Sequence, residues 1–327
     1  MSRITVKTRE PRFPVAPNLY GLFFEDINRA GDSGLYPELL RNRSFEDSIP
    51  PERCTLSEDG VSFTTPNGWS DQFNHGEGLK RWLGNVPPTP VPSWYAERAA
   101  MELDASERLN PKRLAALRVD FAAGGSIRNI GFQGISLKQG ESCQFYMFAK
   151  AEQTAARLEA AITSEDGTVQ AQAEFLIEAG EYRRYECVLT ASADDANGRF
   201  CLRAPEACTV LLGFTSLMPQ ETYKGHGMRK DLMEMLEQAH AKFLRFPGGC
   251  IVEGFTPDTA MRFHNVIGPV WERPGHLLMW HYRTYNGIGF HEYLQLCEDL
   301  DMEPLYVCLL YTSLFHFGNY GTGYPAH

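Results

Sequence analysis

The chain has 327 residues, 43% of them hydrophobic and 12% aromatic, enough for two domains or one large one with a sizeable core. A formal net charge of −10 and an isoelectric point near 5.4 exclude the clustered basic surface that nucleic-acid phosphates require. No run of about 18 apolar residues occurs, and the opening "MSRITVKTREPRF" has no apolar leader segment, so no membrane contact is expected and the expected location is cytoplasmic.

Taken in chain order, residues 14 to 47 begin with the short apolar run "LYGLFF", which ends in Glu25 and Asp26 before a Gly-rich loop. Leu35, Leu39, Leu40 and Phe45 then fall roughly at helical spacing, which predicts a strand, loop and helix. From about 51 to 219 the character changes, with Pro and Gly punctuating short alternating runs. In "RLEAAIT", Leu158, Ala160 and Ile162 share one face and Glu159 takes the other, the period of a half-buried antiparallel strand. Short strands with regular turn signals predict a β-sandwich.

The helical period returns at 220, with Leu232, Met235 and Leu236 expected on one apolar face and a buried strand around Phe243 to Phe246. "GFHEYLQLCEDLDMEPLYVC" repeats the plan: Tyr293, Leu294, Cys297 and Leu300 are expected to face inward, Pro304 to stop the helix, and "LYVC" to form the next buried strand. Helix and strand alternate on both sides of the sandwich, which predicts an α/β domain with a parallel sheet and the sandwich inserted into it.

The eight cysteines stand singly, without C-x-x-C pairs, and His276, His281 and His291 lack ligand spacing, so neither a metal nor a cofactor is expected. Phosphate loops, dinucleotide fingerprints and G-x-S-x-G elbows are also absent. In an α/β barrel the chemistry lies just after the strand ends, which singles out Glu25, Cys250 and Glu253. Glu25 has two readings: an acceptor for substrate hydroxyls, or a loop carboxylate bonded to a helix amide or to Arg29 or Arg245. Cys250 is either a substrate contact, with Gly248 and Gly249 allowing close backbone approach, or a small buried hydrophobe. The aromatic loop holding Trp271, Trp280, Tyr282 and Tyr285 is either a sugar-packing wall or a cap on the barrel rim. Glu292 is expected to be a helix N-terminal charge.

Four segments in this order, "NLYGLFFEDINRAGDSGLYPELLRNRSFE", "GMRKDLMEMLEQAHAKFLRFPGGCIVEGF", "IGPVWERPGHLLMWHY" and "GIGFHEYLQLCEDLDMEPLYV", resemble the N-terminal half of the glycoside hydrolase family 51 α-L-arabinofuranosidases. The resemblance runs nearly the whole length to Val307. It implies a (β/α)8 barrel, an insert of carbohydrate-binding-module type, and retaining hydrolysis of terminal arabinofuranosyl residues from arabinoxylan, arabinan and arabino-oligosaccharides. It also implies homo-oligomeric full-length relatives. By the same resemblance Glu25 contacts the arabinose hydroxyls, and Gly249 and Cys250 line that subsite without a covalent role.

A retaining mechanism needs two carboxyl groups about 5 Å apart. The resemblance places both glutamates on later barrel strands, the acid/base in an Asn-Glu pair that this chain lacks. No catalytic residue is therefore assigned, and the chain is expected to be inactive, with about the first three strands of an incomplete barrel. The expected division is 1–50 for the start of the barrel, 51–219 for the sandwich, 220–307 for the barrel continuation, and 308–327 for an aberrant tail. In that tail "CLLYTS" matches what a sequencing-library transposon end would encode. The alternative function is a non-catalytic carbohydrate-binding protein that uses Trp69, Trp82 and Trp94 of the sandwich, unless these are core.

Overall fold

The structure is a computed structural model and describes residues 3–10, 13–66, 68–73, 89–132, 134–254, 256 and 259–308. The expected tail from 309 onward and Trp82 lie outside the described residues. The strands in chain order are β1 (Leu22–Phe23), β2 (Thr55–Leu56), β3 (Ser62–Thr64), β4 (Ser70–Gln72), β5 (Trp94–Asp104), β6 (Ala116–Asn129), β7 (Ile135–Leu137), β8 (Ser142–Ala151), β9 (Ala156–Thr163), β10 (Val169–Ile177), β11 (Arg183–Thr190), β12 (Asp195–Arg203), β13 (Cys208–Pro219), β14 (Phe243–Phe246), β15 (His276–Leu277), β16 (Arg283–Thr284) and β17 (Glu303–Tyr306). No helix among the described residues is long and apolar enough to cross a membrane.

Alternation along β5 to β13 builds one antiparallel sheet of order β10-β9-β12-β6-β13-β8-β11, with β5 on β6 and β7 on β12. The end strands β10 and β11 come back into contact, so the sheet is nearly closed around its own apolar side chains. Leu158, Ala160 and Ile162 point into that interior and Glu159 away from it, as their period of two predicts. Trp94 lies at the centre, 5.4 Å from the Phe45 ring and 6.4 Å from Phe200, and its indole N–H donates to the Asn42 carbonyl at 3.0 Å. It is core, and no glycan can reach it. Trp69 packs on Phe63 at 5.9 Å in a small separate cluster beside β4.

The second unit is a parallel sheet of order β1-β14-β17, with Leu22 opposite Leu244 and Leu244 opposite Pro304. Helices Lys230–Gln238 and Phe290–Asp299 precede β14 and β17 and cover this sheet through Met233, Tyr293, Leu296 and Cys297. The expected helix faces are each wrong by one residue. Met235 is 68% exposed while Met233 is buried, because Leu232, Met233 and Leu236 form the stripe. Leu296 replaces Leu294, since Tyr293, Leu296, Cys297 and Leu300 follow the i, i+3, i+4, i+7 spacing. β17 is also not a buried strand: Leu305 is 50% exposed, because β17 is an edge of the sheet among the described residues.

The largest departure from expectation is residues 35 to 45, which form turns and extended chain in place of a helix, followed only by a short 3-10 turn at Glu46–Ser48. Leu35, Leu40 and Phe45 are buried, but so are Glu38, Arg41, Asn42, Arg43, Glu46 and Asp47. A segment buried on all sides cannot be an amphipathic helix lying on one core. It threads between the two sheets and takes its backbone hydrogen bonds from distant partners. The Leu39 amide donates to the Leu217 carbonyl at 2.9 Å, and the Thr215 amide to the Arg43 carbonyl at 2.9 Å.

Arg43, with no exposed surface, is the hub of this segment. It donates to Glu38 at 3.0 Å and to Asp32 at 3.1 Å, and its guanidinium lies over Tyr36 and Phe214 at 5.2 and 5.4 Å. Glu38 also accepts from the Ser216 hydroxyl and the Leu217 amide of β13. Asp32 accepts from the Tyr285 and Gly287 amides of the loop before the last helix.

Two outcomes follow. Arg43→Met should cost roughly 3–5 kcal/mol, because two carboxylates are left buried without their cation, read as a large fall in melting temperature; a melt like wild type would contradict the hub. The edges β1 and β17, unpaired among the described residues, and the exposed side chains of Phe23 and Leu305 should make the chain self-associate. Sedimentation velocity should show mass rising with concentration, and a monomer at every concentration would refute this.

Candidate functional site

All three parallel strands end on the same side of the sheet, and that side carries the residues singled out from sequence. The Phe24 amide donates to the Arg245 carbonyl at 2.9 Å, which prolongs β1 and carries Glu25 over the end of β14. β14 runs into a cis Phe246–Pro247 peptide, Gly248 and Gly249, then a single helical turn, Cys250–Glu253. The Glu25 Oε1 accepts from the Gly249 amide at 3.3 Å and from the Ile251 amide at 3.4 Å. These are the unpaired donors at the start of the turn, and a carboxylate suits them.

Both readings of Glu25 are therefore accommodated. One oxygen holds the helix amides, and Oε2 has no hydrogen-bond partner among the described residues, leaving it able to accept from a ligand. Neither arginine is its partner. Arg245 lies over the Phe23 ring at 4.5 Å, and Arg29 over Tyr282 at 4.5 Å.

Gly248 explains the need for glycine at this turn. Its φ of 141° disfavours any L side chain, and a Cβ there would stand 2.5 Å from the Glu25 carboxylate. Gly249 differs: a Cβ there would meet nothing within 4 Å, so its surroundings are open. Cys250 is half-buried, and its thiol is pushed up by burial and by the nearby Glu25 and Glu253. A thiol held protonated is a poor nucleophile.

Behind Glu25, Asp26 is buried and its Oδ1 accepts from the Gly31 amide at 3.1 Å. Burial first, and then the neighbouring Asp32, raise its carboxyl to about 6. The Tyr282 hydroxyl donates to the Asp26 carbonyl at 3.0 Å and accepts from the Arg29 amide at 3.0 Å. Asp26, Arg29 and Tyr282 were not picked out as a group from sequence. The available signal was Asp26 five residues before a glycine whose amide it binds.

The aromatic loop divides. Tyr282 reaches the Glu25 loop, whereas Tyr285 is buried with its hydroxyl on Asn42 and Asp47. Trp271 leans away, onto Tyr146 at 5.8 Å and Phe148 at 5.1 Å of the antiparallel sheet, and Trp280 joins the parallel-sheet core. The loop is thus not one continuous sugar wall. Glu292 caps the last helix by accepting from the Gly289 amide at 2.8 Å, and it also pairs with the buried Arg273 at 2.7 and 2.9 Å, a partner that spacing did not reveal. His276 is buried and kept neutral, its pKa pushed down to about 3 by burial and by Arg283. Among the described residues no group of three or more His, Cys, Asp or Glu is placed to hold a metal ion.

Gly248→Ala should destabilise the chain by roughly 1–3 kcal/mol through strain and displacement of Glu25, and Gly249→Ala by less. Equal melts for the two variants would contradict the geometry. The raised Asp26 carboxyl stabilises the fold below the ordinary aspartate range and withdraws that stability as pH rises through about 6. Asp26→Asn should therefore raise the melting temperature more at pH 8 than at pH 4, and an effect of equal size at both would show that burial does not perturb this group.

Residues 235–318 match the profile of the family described as the alpha-L-arabinofuranosidase 1 domain. The extracellular exo-alpha-L-arabinofuranosidase of Streptomyces chartreusis is 31% identical over 316 residues, covering 92% of this chain and 34% of that protein. Alpha-L-arabinofuranosidase 1 of Arabidopsis thaliana is 30% identical over 307 residues, covering 90% of this chain and 40% of that one. An arabinose-bound family 51 α-L-arabinofuranosidase superimposes with a TM-score of 0.74 at 25% identity, over 95% of this chain and 49% of its own. The chain spans about a third to two fifths of the length of these curated relatives. Over the portion it spans, the chain is similar in sequence and in fold to the glycoside hydrolase family 51 α-L-arabinofuranosidases.

Proposed function

We propose that these residues form the arabinose-binding part of a retaining α-L-arabinofuranosidase acting on arabinoxylan, arabinan or arabino-oligosaccharides. In this reading β1, β14 and β17 are the first three strands of a (β/α)8 barrel, and the antiparallel sheet is an insert of carbohydrate-binding-module type. Glu25 accepts from the furanose hydroxyls, while Gly249 and Cys250 line the same subsite. The observation that carries the reading is the Glu25 carboxylate, anchored by Oε1 on the Gly249 and Ile251 amides beside the Cys250 thiol, with Oε2 left for a ligand.

The role proposed for Cys250 is packing. A protonated thiol offers a soft, weakly polar surface to the sugar ring and takes no covalent part. The nucleophile and the acid/base are proposed to be glutamates supplied by later strands, so the chain binds and does not hydrolyse. Two carboxyl groups about 5 Å apart are required for retention, and neither Glu25 nor Glu253 is put forward for either role.

Ligand-observed NMR tests this. L-Arabinose should bind the chain, Glu25→Ala should abolish that binding, and 4-nitrophenyl α-L-arabinofuranoside should not be cleaved. Arabinose binding that survives Glu25→Ala would refute the subsite. Arabinoxylan binding that survives the same substitution would favour the alternative, a non-catalytic carbohydrate-binding protein.

A further inference from the structure

Arg29 lies four residues beyond Glu25, on the same side of the parallel sheet. Its guanidinium carbon is 4.5 Å from the Tyr282 ring centroid and 5.4 Å from that of Phe132. Phe132 belongs to the turn between β6 and β7, so both units of the chain meet on this one cation. The backbone beneath is fixed as well. Asn28 and Arg29 are both left-handed, at φ 54° and 59°, and the Arg29 amide is tied to the Tyr282 hydroxyl.

The side chain itself is only partly buried, and among the described residues its guanidinium makes no hydrogen bond or ion pair. An arginine held by ring faces, with its planar edge of N–H donors unused, is an ordered donor fork with little entropy left to lose. Its charge is also attracted by the buried Asp26.

We propose that Arg29 is a specificity-determining residue: its N–H edge donates to hydroxyls of the neutral sugar that bears the arabinose, on the leaving-group side. Phe132 makes the antiparallel sheet a partner in that contact. The proposal rests on Glu25 being the arabinose contact. Arginine suits the task because adjacent ring hydroxyls present paired acceptor oxygens at the spacing of its fork.

The test compares the affinity of the intact chain for L-arabinose and for xylotriose carrying one α-L-arabinofuranosyl branch. Wild type should favour the branched oligosaccharide. Arg29→Ala should lower the ratio of oligosaccharide to arabinose affinity about tenfold, the loss expected for charge-assisted hydrogen bonds. Arg29→Lys should not restore it, because a lysine lacks the planar fork, and Phe132→Ala should lower the ratio in the same direction. An unchanged ratio overturns the proposal. So does an equal loss of both ligands with a lowered melting temperature, which marks a residue that only frames the loop. Glu25→Ala is the separate control: intact arabinose binding in that variant sinks the underlying reading whatever Arg29 does. Wild type binding neither sugar overturns both.

Discussion

The fully buried guanidinium of Arg43, held between Glu38 and Asp32, is the constraint that the rest of the molecule is built around. A charge without solvent requires neighbouring carboxylates, and each of those carries further donors from a different unit. Glu38 reaches β13 of the antiparallel sheet, while Asp32 gathers the amides of Tyr285 and Gly287. The loop pinned by Asp32 is the one from which Tyr282 reaches the Asp26 carbonyl and the Arg29 amide, next to Glu25. Polar contacts, joined by the backbone of the Tyr282 to Tyr285 loop, therefore link the interior cation to the candidate site.

Those links account for the uneven legibility of the sequence. The period of two in "RLEAAIT" reported local geometry correctly, because one neighbouring layer decides which face is buried. β14 and the two helices were legible for the same reason, although single positions on each face were misassigned where an apolar residue stood just off the stripe. Residues 35 to 45 were not legible. Their leucines mimic helical spacing, but the burial of Glu38, Arg43 and Glu46 is set by distant partners such as Leu217, 179 residues from Glu38, and no window of sequence contains those partners.

The site divides in the same manner. Glu25, Gly249 and Cys250 stand out locally because strand ends and a Gly-Gly pair are local signals, their substrate role came only from the family resemblance, and the structure brings the three together. The part each glycine plays is set by what lies across from it: Gly248 makes room for Glu25, and Gly249 faces open space. Asp26, Arg29 and Tyr282 depend on contacts across more than 250 residues. Trp94 and Trp271, which sequence left open between sugar contact and core or rim, also take their places from partners outside any local window: they build the sheet interior and join the two units.

The chemistry that emerges is one of positioning. Glu25 sits on two amides, Cys250 stays protonated, and Asp26 is buried behind them with its proton retained to about pH 6. The most direct test of this account is a crystal structure of the chain with L-arabinose bound. The account predicts a furanose with its hydroxyls within hydrogen-bond distance of Glu25 and its ring against the Cys250 thiol. Arabinose seated on the antiparallel sheet, with the Pro-Gly-Gly-Cys turn empty, would contradict it.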